Sequence, residues 1–199
     1  HSYGLPRELR NLDTAAPGNH AAEWKRRWPP AQFTALVDGE RTVAESSIVI
    51  EHLQLAHPGP VQLIPADPRA ALDVRFMDRI FNLHVTAPVQ HTVNAALTGN
   101  AERKAEGVAW AAEKLETAYA RLEGMWAGRT WAAGESFSLA DCAAAPSLFY
   151  ADWTHPIAAT YPQLRAYRAR LLARPSFARA GEGGRPYRHY FPLGAPDRD

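Results

Sequence analysis

The segment at 33–57 constrains the fold most, because it combines two short strand patterns, a tight turn and a helical pattern in one run. The runs at 33–37 and 41–44 are rich in β-prone residues. Asp38-Gly39 between them is a strong hairpin signal, since glycine tolerates a positive φ. After the second run the apolar residues switch to helical spacing. We therefore predict a β-hairpin that leads directly into an α-helix.

Glu45 and Ser46 lie where the second strand gives way to this helix. The first N–H groups of a helix lack intrahelical partners and carry the positive end of its dipole, so such a point can hold a carboxylate. A serine hydroxyl there can bind carboxylate oxygens or an amine. Ser and Glu are also ordinary helix-capping residues. From the residues alone, a helix cap and a ligand-binding pair both stay open.

Composition and charge exclude several classes of protein. The 199 residues carry a formal net charge of +1, which leaves no basic excess for binding nucleic acid through its phosphates. No run approaches the roughly 18 apolar residues of a membrane span, so we expect neither nucleic acid nor membrane as a partner. The single cysteine, Cys142, excludes an internal disulfide and fits a reducing cytoplasm. We expect it to pack in the core, because buried cysteine is usually inert.

Helical patterns dominate the second part of the chain. The Pro-rich segment 58–67 predicts a linker. Segment 68–97 is one long helical pattern that Pro88 should kink or interrupt, because proline removes a backbone donor. Its spaced apolar residues are Leu72, Phe76, Ile80, Leu83 and Ala87. The segment 101–126 predicts a second long helix, antiparallel to the first. Shorter helices are predicted at 139–150, 162–173 and 176–180.

Ser138 and Asp141, in the run GESFSLADC, form a variant capping box. The Ser138 hydroxyl can accept from the Asp141 N–H, while the Asp141 carboxylate reaches back to the Ser138 N–H, with Asp in place of the usual Glu. Phe137 and Cys142 occupy the positions of a hydrophobic staple. We interpret Asp141 as structural rather than catalytic, and we expect loss of the Ser138 cap to cost about 1 kcal/mol.

Four stretches carry a resemblance to the cytosolic glutathione S-transferases. ALVDGERTVAESSIVIEHL resembles the end of their thioredoxin-like domain, and FSLADCAAAPSLFY resembles the capping-box helix in the core of their C-terminal domain. FNLHVTAPVQHTV and RPSFARAGEGGRPYRHYF fit a bacterial branch of the family. The resemblance implies the glutathione S-transferase fold. Its parts would be an incomplete α/β thioredoxin-like, glutathione-binding domain over 1–57, a linker over 58–67 and an all-α helical bundle over 68–199.

The resemblance also assigns binding residues. In this family a Glu-Ser pair at the start of the third helix binds the γ-glutamyl end of glutathione, a role that falls to Glu45 and Ser46. Phe33 would bind the cysteinyl part through its backbone, and Gln32 would help with the glycyl end. Thr34 stands where the family usually has a cis-proline. Because a cis bond before a non-proline residue costs about 3–4 kcal/mol, we expect a trans peptide and a remodelled loop.

The catalytic residue stays unassigned. The family's catalytic Tyr, Ser or Cys lies between its first strand and first helix, and we expect that segment to precede His1, since the chain opens as if inside a helix. Ser2 and Tyr3 align with the end of that helix instead. The resemblance places His84 in the electrophile pocket, although a surface or interface position fits it equally. No carboxylate completes a ligand set with His84 and His91, so we expect no metal.

The resemblance implies a cytoplasmic glutathione transferase that adds the glutathione thiolate to a small hydrophobic electrophile and forms a homodimer. Glutathione would be its substrate or cofactor. Two alternatives stay open: a non-catalytic binding or scaffold protein with the same fold, and a glutathione-dependent reductase or isomerase. The sequence does not identify the electrophile.

Overall fold

The computed structural model describes residues 5, 6, 8, 20–30, 35–126 and 128–197. The chain divides into two units, His1–Leu63 and Ile64–Asp199. This boundary lies within the segment 58–67, and each unit is built from its own elements.

The first unit contains a short helix, a β-hairpin and a longer helix. Helix α1 (Ala21–Arg27) buries Trp24. Strand β1 (Ala35–Asp38) pairs antiparallel with β2 (Arg41–Ala44), and helix α2 (Ser46–Ala56) follows after one residue. The hairpin and the helix predicted from the sequence are therefore both present.

The hairpin turn is shifted by one residue from the sequence signal. Asp38 pairs with Arg41 and belongs to β1, so the turn consists of Gly39 and Glu40. Gly39 has a φ of +59°, a conformation that glycine adopts without steric penalty. Asp38 is thereby held on the end of a strand, where the ladder fixes the direction of its side chain.

The second unit is helical. A continuous helical stretch comprises α3 (Pro68–Ile80), a π-helical segment (Phe81–Thr86) and α4 (Ala87–Leu97). It is followed by α5 (Ala101–Met125), α6 (Leu139–Thr154), α7 (Pro162–Leu172), α8 (Pro175–Gly184) and a 3-10 segment (Arg185–Tyr190). Within the described residues, no helix combines the length and the apolar character that crossing a bilayer requires.

The π-helical segment is the structural response to Pro88. Proline has no N–H, and its ring crowds the carbonyl four residues earlier, which belongs to His84. The turn ahead of it is widened, and the Ala87 N–H donates to the Asn82 carbonyl five residues back. The disturbance predicted at Pro88 therefore takes the form of a widened turn that keeps the stretch helical.

Helices α4 and α5 pack closely and run antiparallel, as predicted. A Cβ built on Gly107 of α5 would lie 2.9 Å from the Cβ of Ala95 on α4. One turn further along, the rings of His91 and Trp110 lie 4.5 Å apart between centroids. The contact partner on α4 therefore moves from Ala95 back to His91 as the position on α5 advances from Gly107 to Trp110, which shows that the two helices are antiparallel. Glycine at 107 is what permits this close approach.

The core of the second unit lies between α5, α6, α7 and the π-helical segment. Its large, fully buried side chains include Phe81, Leu115, Tyr119, Leu122, Leu148, Leu164, Tyr167 and Leu171. The Tyr167 ring lies 4.0 Å from the Trp126 ring and 6.5 Å from the Phe81 ring, measured between centroids. Aromatic packing therefore joins three parts of the bundle at one point.

The apolar row noted along 68–97 lies mostly on the outside. Leu72, Phe76 and Leu83 are 66 %, 51 % and 58 % exposed. The buried face of the same stretch consists of other residues, namely Ala71, Val74, Met77, Phe81, Val85 and Val89. The stretch therefore carries two apolar faces, and only one of them packs within the chain.

The capping box lies at the start of α6. The Ser138 N–H donates to Oδ2 of Asp141 at 2.8 Å, and the Ser138 hydroxyl donates to the same oxygen at 3.1 Å. The other carboxylate oxygen, Oδ1, accepts from the Tyr167 hydroxyl at 2.6 Å and from the Ala132 N–H at 2.8 Å. Burial raises the pKa of Asp141, and these hydrogen bonds oppose the rise by favouring the carboxylate.

Candidate functional site

Glu45 connects β2 to α2 through an unusual backbone conformation. Its φ is 68° and its ψ is 118°, and no other non-glycine residue in the described ranges has a positive φ. Such conformations cost on the order of 1–3 kcal/mol and persist where the surrounding structure enforces them, often at binding sites. The junction between the hairpin and α2 is therefore the strongest site candidate in the first unit.

The Glu45 side chain does not cap α2. Its backbone carbonyl accepts from the Val49 N–H at 2.8 Å and so begins the helical hydrogen-bond ladder. Across the part of the chain that the structure describes, the Glu45 carboxylate and the Ser46 hydroxyl form no hydrogen bond or ion pair, and both residues are exposed. The helix-cap interpretation is therefore wrong for the Glu45 carboxylate, which is available to a ligand.

The junction offers both groups that bind an anion and a group that binds a cation. The backbone amides of the first turn of α2 precede the hydrogen-bond ladder, and the positive end of the helix dipole lies with them. These amides and the Ser46 hydroxyl favour a carboxylate. The Glu45 carboxylate favours an ammonium group. A ligand that carries both groups on one carbon, such as an α-amino acid end, therefore matches the junction.

A cluster that sequence reasoning missed lies close to this junction in the chain. Oδ2 of Asp38 accepts hydrogen bonds from Nε2 of His52 at 2.9 Å and from Nε2 of His57 at 2.8 Å. The bond from His52, and then the bond from His57, lowers the pKa of the Asp38 carboxyl. No local spacing signal joins these positions, because they meet only when the hairpin folds onto α2.

Three of the predicted glutathione contacts, Gln32, Phe33 and Thr34, lie outside the described residues. Their roles, and the trans peptide expected before Thr34, stay predictions. Ser2 and Tyr3 also lie outside the described residues.

His84 belongs to the second unit and lies, exposed, on the π-helical segment. Such segments are frequent at functional sites, and the place of His84 in an electrophile pocket stays a prediction. His91 packs its ring against Trp110 instead. Among the described residues, no three His, Cys, Asp or Glu side chains are arranged to hold a metal ion.

Cys142 lies in the first turn of α6. Burial raises the pKa of its thiol to about 12. Because the thiolate is the reactive form, the thiol is inert at neutral pH. Cys142 is therefore a packing residue rather than a nucleophile.

Comparison with known proteins supports the same family for most of the chain. The family model of the glutathione S-transferase C-terminal domain matches residues 74–175, just over half of the 199 residues. A probable maleylacetoacetate isomerase from Vibrio cholerae is 29% identical over 178 residues, which cover 84% of this chain and 79% of the relative.

Solved structures agree with this match. A glutathione S-transferase from Methylobacterium radiotolerans, in complex with glutathione sulfonate, is 29% identical with a TM-score of 0.70, covering 89% of this chain and 83% of its own. Isozyme E7 from Drosophila melanogaster shares the fold with a TM-score of 0.78 at 20% identity, covering 96% of this chain and 86% of its own. The predicted fold, a thioredoxin-like α/β unit followed by a helical bundle, is confirmed. The chain belongs to the glutathione S-transferase family.

Proposed function

We propose that the protein is a glutathione transferase, which binds glutathione at the Glu45–Ser46 junction and adds its thiolate to a small hydrophobic electrophile. The observation that carries this proposal is the exposed carboxylate of Glu45 beside the first amides of α2, which has no hydrogen-bond or ion-pair partner among the residues that the structure describes. Family membership and the glutathione sulfonate bound to the Methylobacterium radiotolerans relative support glutathione as the ligand.

The γ-glutamyl end of glutathione is an α-amino acid, with an ammonium group and a carboxylate on one carbon. The Glu45 carboxylate pairs with the ammonium group, and the Ser46 hydroxyl and the first amides of α2 receive the carboxylate. Hydrogen bonds to charged groups contribute about 1.5–3 kcal/mol each. The junction thereby fixes one end of the peptide.

In the reaction, the thiol of glutathione gives its proton to water, and the sulfur forms a bond to an electrophilic carbon. A leaving group then departs with the electron pair of its bond, or, where the electrophile has none, the carbon next to the new bond takes up a proton. Holding the glutamyl end still places the sulfur in a restricted volume, which lowers the entropic part of the barrier. Cys142 takes no part, because its own thiol stays protonated.

A second candidate function is a glutathione-dependent isomerisation. It is favoured by the similarity to the Vibrio cholerae protein described as a probable maleylacetoacetate isomerase. In this reaction the thiolate would add to a carbon–carbon double bond, the resulting single bond would rotate, and the thiolate would leave again. A transferase consumes glutathione, whereas an isomerase regenerates it.

Thiol consumption distinguishes these functions. We expect the wild-type protein to consume glutathione with chlorodinitrobenzene, releasing one chloride for each thiol lost. Conversion of maleylacetoacetate without thiol loss would assign the isomerase instead. Binding of glutathione without either reaction would leave the non-catalytic binding protein.

We also propose that the protein forms a homodimer through the exposed apolar positions Leu72, Phe76 and Leu83. These side chains are 66 %, 51 % and 58 % exposed and form one apolar face of α3 and the π-helical segment. Exposed apolar faces of this kind mark interaction sites.

Light scattering after size-exclusion chromatography should give a dimer for the wild type and a monomer for Phe76→Glu. Leu97→Glu, at an exposed position on α4, is the matched control. A monomeric wild type would contradict the proposal.

A further inference from the structure

We infer that Asp38, His52 and His57 form a clamp that positions α2 for glutathione binding. The three residues, called the His–Asp clamp, join the end of β1 to the second half of α2 and to the residue that follows it, through hydrogen bonds of 2.9 and 2.8 Å to one carboxylate oxygen. The inference rests on the proposed function, because it assigns these residues to the orientation of the Glu45–Ser46 junction.

The clamp limits how far α2 can tilt, because of where it contacts the helix. Helix α2 is joined to β2 through Glu45 alone, so this residue is the point about which the helix would pivot. Over the roughly 16 Å from Ser46 to His57, a tilt of about 10° would displace His57 by about 3 Å, which would break its hydrogen bond to Asp38. An intact clamp therefore restricts the tilt of α2 to a few degrees, and with it the direction of the first-turn amides.

The clamp also accounts for how the backbone of Glu45 is held. A non-glycine residue with a φ of 68° relaxes unless contacts elsewhere enforce its conformation. The clamp lies towards the other end of α2 from the covalent connection, because Glu45 precedes the first residue of the helix, whereas His52 lies in its second half and His57 follows its last residue. The hairpin and α2 are thus connected at two separate points, the Glu45 backbone and the clamp, and this double connection restricts the backbone dihedral angles of Glu45.

The surroundings of the clamp favour a strong contact. The His52 side chain is 12% exposed, so water screens its bond to Asp38 less than it screens a surface ion pair. The other charged groups on the packed elements are Glu40 and Arg41 on the hairpin and Glu51 on α2, besides Glu45 at the junction. The pKa of the Asp38 carboxyl is lowered chiefly by its hydrogen bonds from His52 and then His57.

The test is a set of glutathione titrations by calorimetry on the full chain. Asp38→Ala should raise the Kd for glutathione at least about fivefold, the lower limit of typical coupling between sites. Glu40→Ala, which removes an exposed carboxylate two residues away, should leave the Kd unchanged. His52→Leu should weaken binding as Asp38→Ala does, whereas His52→Gln retains an N–H donor and should restore most of the affinity.

A double-mutant cycle separates positioning from a general loss of stability. In a Glu45→Ala background the Glu45–Ser46 junction has lost its carboxylate and keeps only the first-turn amides and the Ser46 hydroxyl, so Asp38→Ala should have a smaller effect on the Kd than in the wild type. Additive losses would overturn the inference, as would wild-type affinity in both Asp38→Ala and His52→Leu. Should Asp38→Ala fail to fold by circular dichroism, the His52→Gln and His52→Leu pair decides the result. Absence of binding by the wild type would overturn the proposed function and this inference together.

Discussion

The Tyr167 hydroxyl donates a 2.6 Å hydrogen bond to Oδ1 of Asp141, which ties the middle of α7 to the first turn of α6. Both residues are fully buried. The same carboxylate receives the Ser138 N–H of the capping box, so one side chain closes the start of α6 and anchors a second helix.

Removal of this hydroxyl should destabilise the protein. We expect Tyr167→Phe to lower the free energy of unfolding by about 1.5–3 kcal/mol, because a buried carboxylate loses one of its donors. Urea denaturation followed by circular dichroism measures the change. Tyr187→Phe is the control, since Tyr187 is 64% exposed. Equal stability of the two variants would contradict the anchoring role of Tyr167.

A methyl group at Gly107 should also destabilise the protein. The new Cβ would lie 2.9 Å from the Cβ of Ala95 and 3.3 Å from Oγ1 of Thr92, so α4 and α5 would have to move apart. We expect Gly107→Ala to lower the free energy of unfolding by about 1–3 kcal/mol.

The matched control for that prediction lies in the same helix. A Cβ at Gly124 meets nothing within 4 Å. Alanine is a better helix former than glycine, so Gly124→Ala should stabilise the protein by up to about 1 kcal/mol. Opposite signs in thermal denaturation confirm the prediction, and a destabilising effect of similar size in both variants contradicts it.

Cys142 should react slowly with thiol reagents in the folded protein. Burial raises the pKa of its thiol to about 12, so the reactive thiolate is scarce at neutral pH. Mass spectrometry after iodoacetamide treatment should show the unmodified chain in buffer and one added group in denaturant. Complete alkylation of the folded protein would contradict the assignment of Cys142 to packing.

The stability of the protein should depend on Asp38 at acid pH. Its two histidine partners lower the pKa of the Asp38 carboxyl below the ordinary value of 3.8. A carboxyl with a lowered pKa in the folded state contributes stability above its unfolded pKa, and this contribution is lost as the pH falls through the folded pKa. Thermal midpoints of the wild type should therefore fall more steeply below about pH 4 than those of Asp38→Asn. Glu40→Gln should follow the wild type, and parallel curves for the wild type and Asp38→Asn would contradict the prediction.

Local features of the sequence predicted the elements well. The hairpin, α2 and the capping box at Ser138 and Asp141 depend on turn residues, period and caps within a few positions, and such signals are visible in a single sequence. Their prediction needed no knowledge of distant contacts.

Features that depend on distant contacts were not predictable. The apolar spacing of 68–97 predicted a helix, but it did not tell which of the two apolar faces packs within the chain, and Leu72 and Phe76 lie outside. The bonds from His52 and His57 to Asp38 link residues 14 and 19 positions apart. The positive φ of Glu45 likewise has no signal in the local sequence, because residues other than glycine rarely adopt it.

Calorimetric titration of the wild-type protein and of Glu45→Ala with glutathione tests the central claim most directly. The claim is that the Glu45–Ser46 junction binds the γ-glutamyl end of glutathione. We predict saturable binding at one site per chain, weakened about 10- to 150-fold by the substitution, which corresponds to the loss of about 1.5–3 kcal/mol. A wild type that releases no heat of binding, or a Glu45→Ala variant with unchanged affinity, would contradict it.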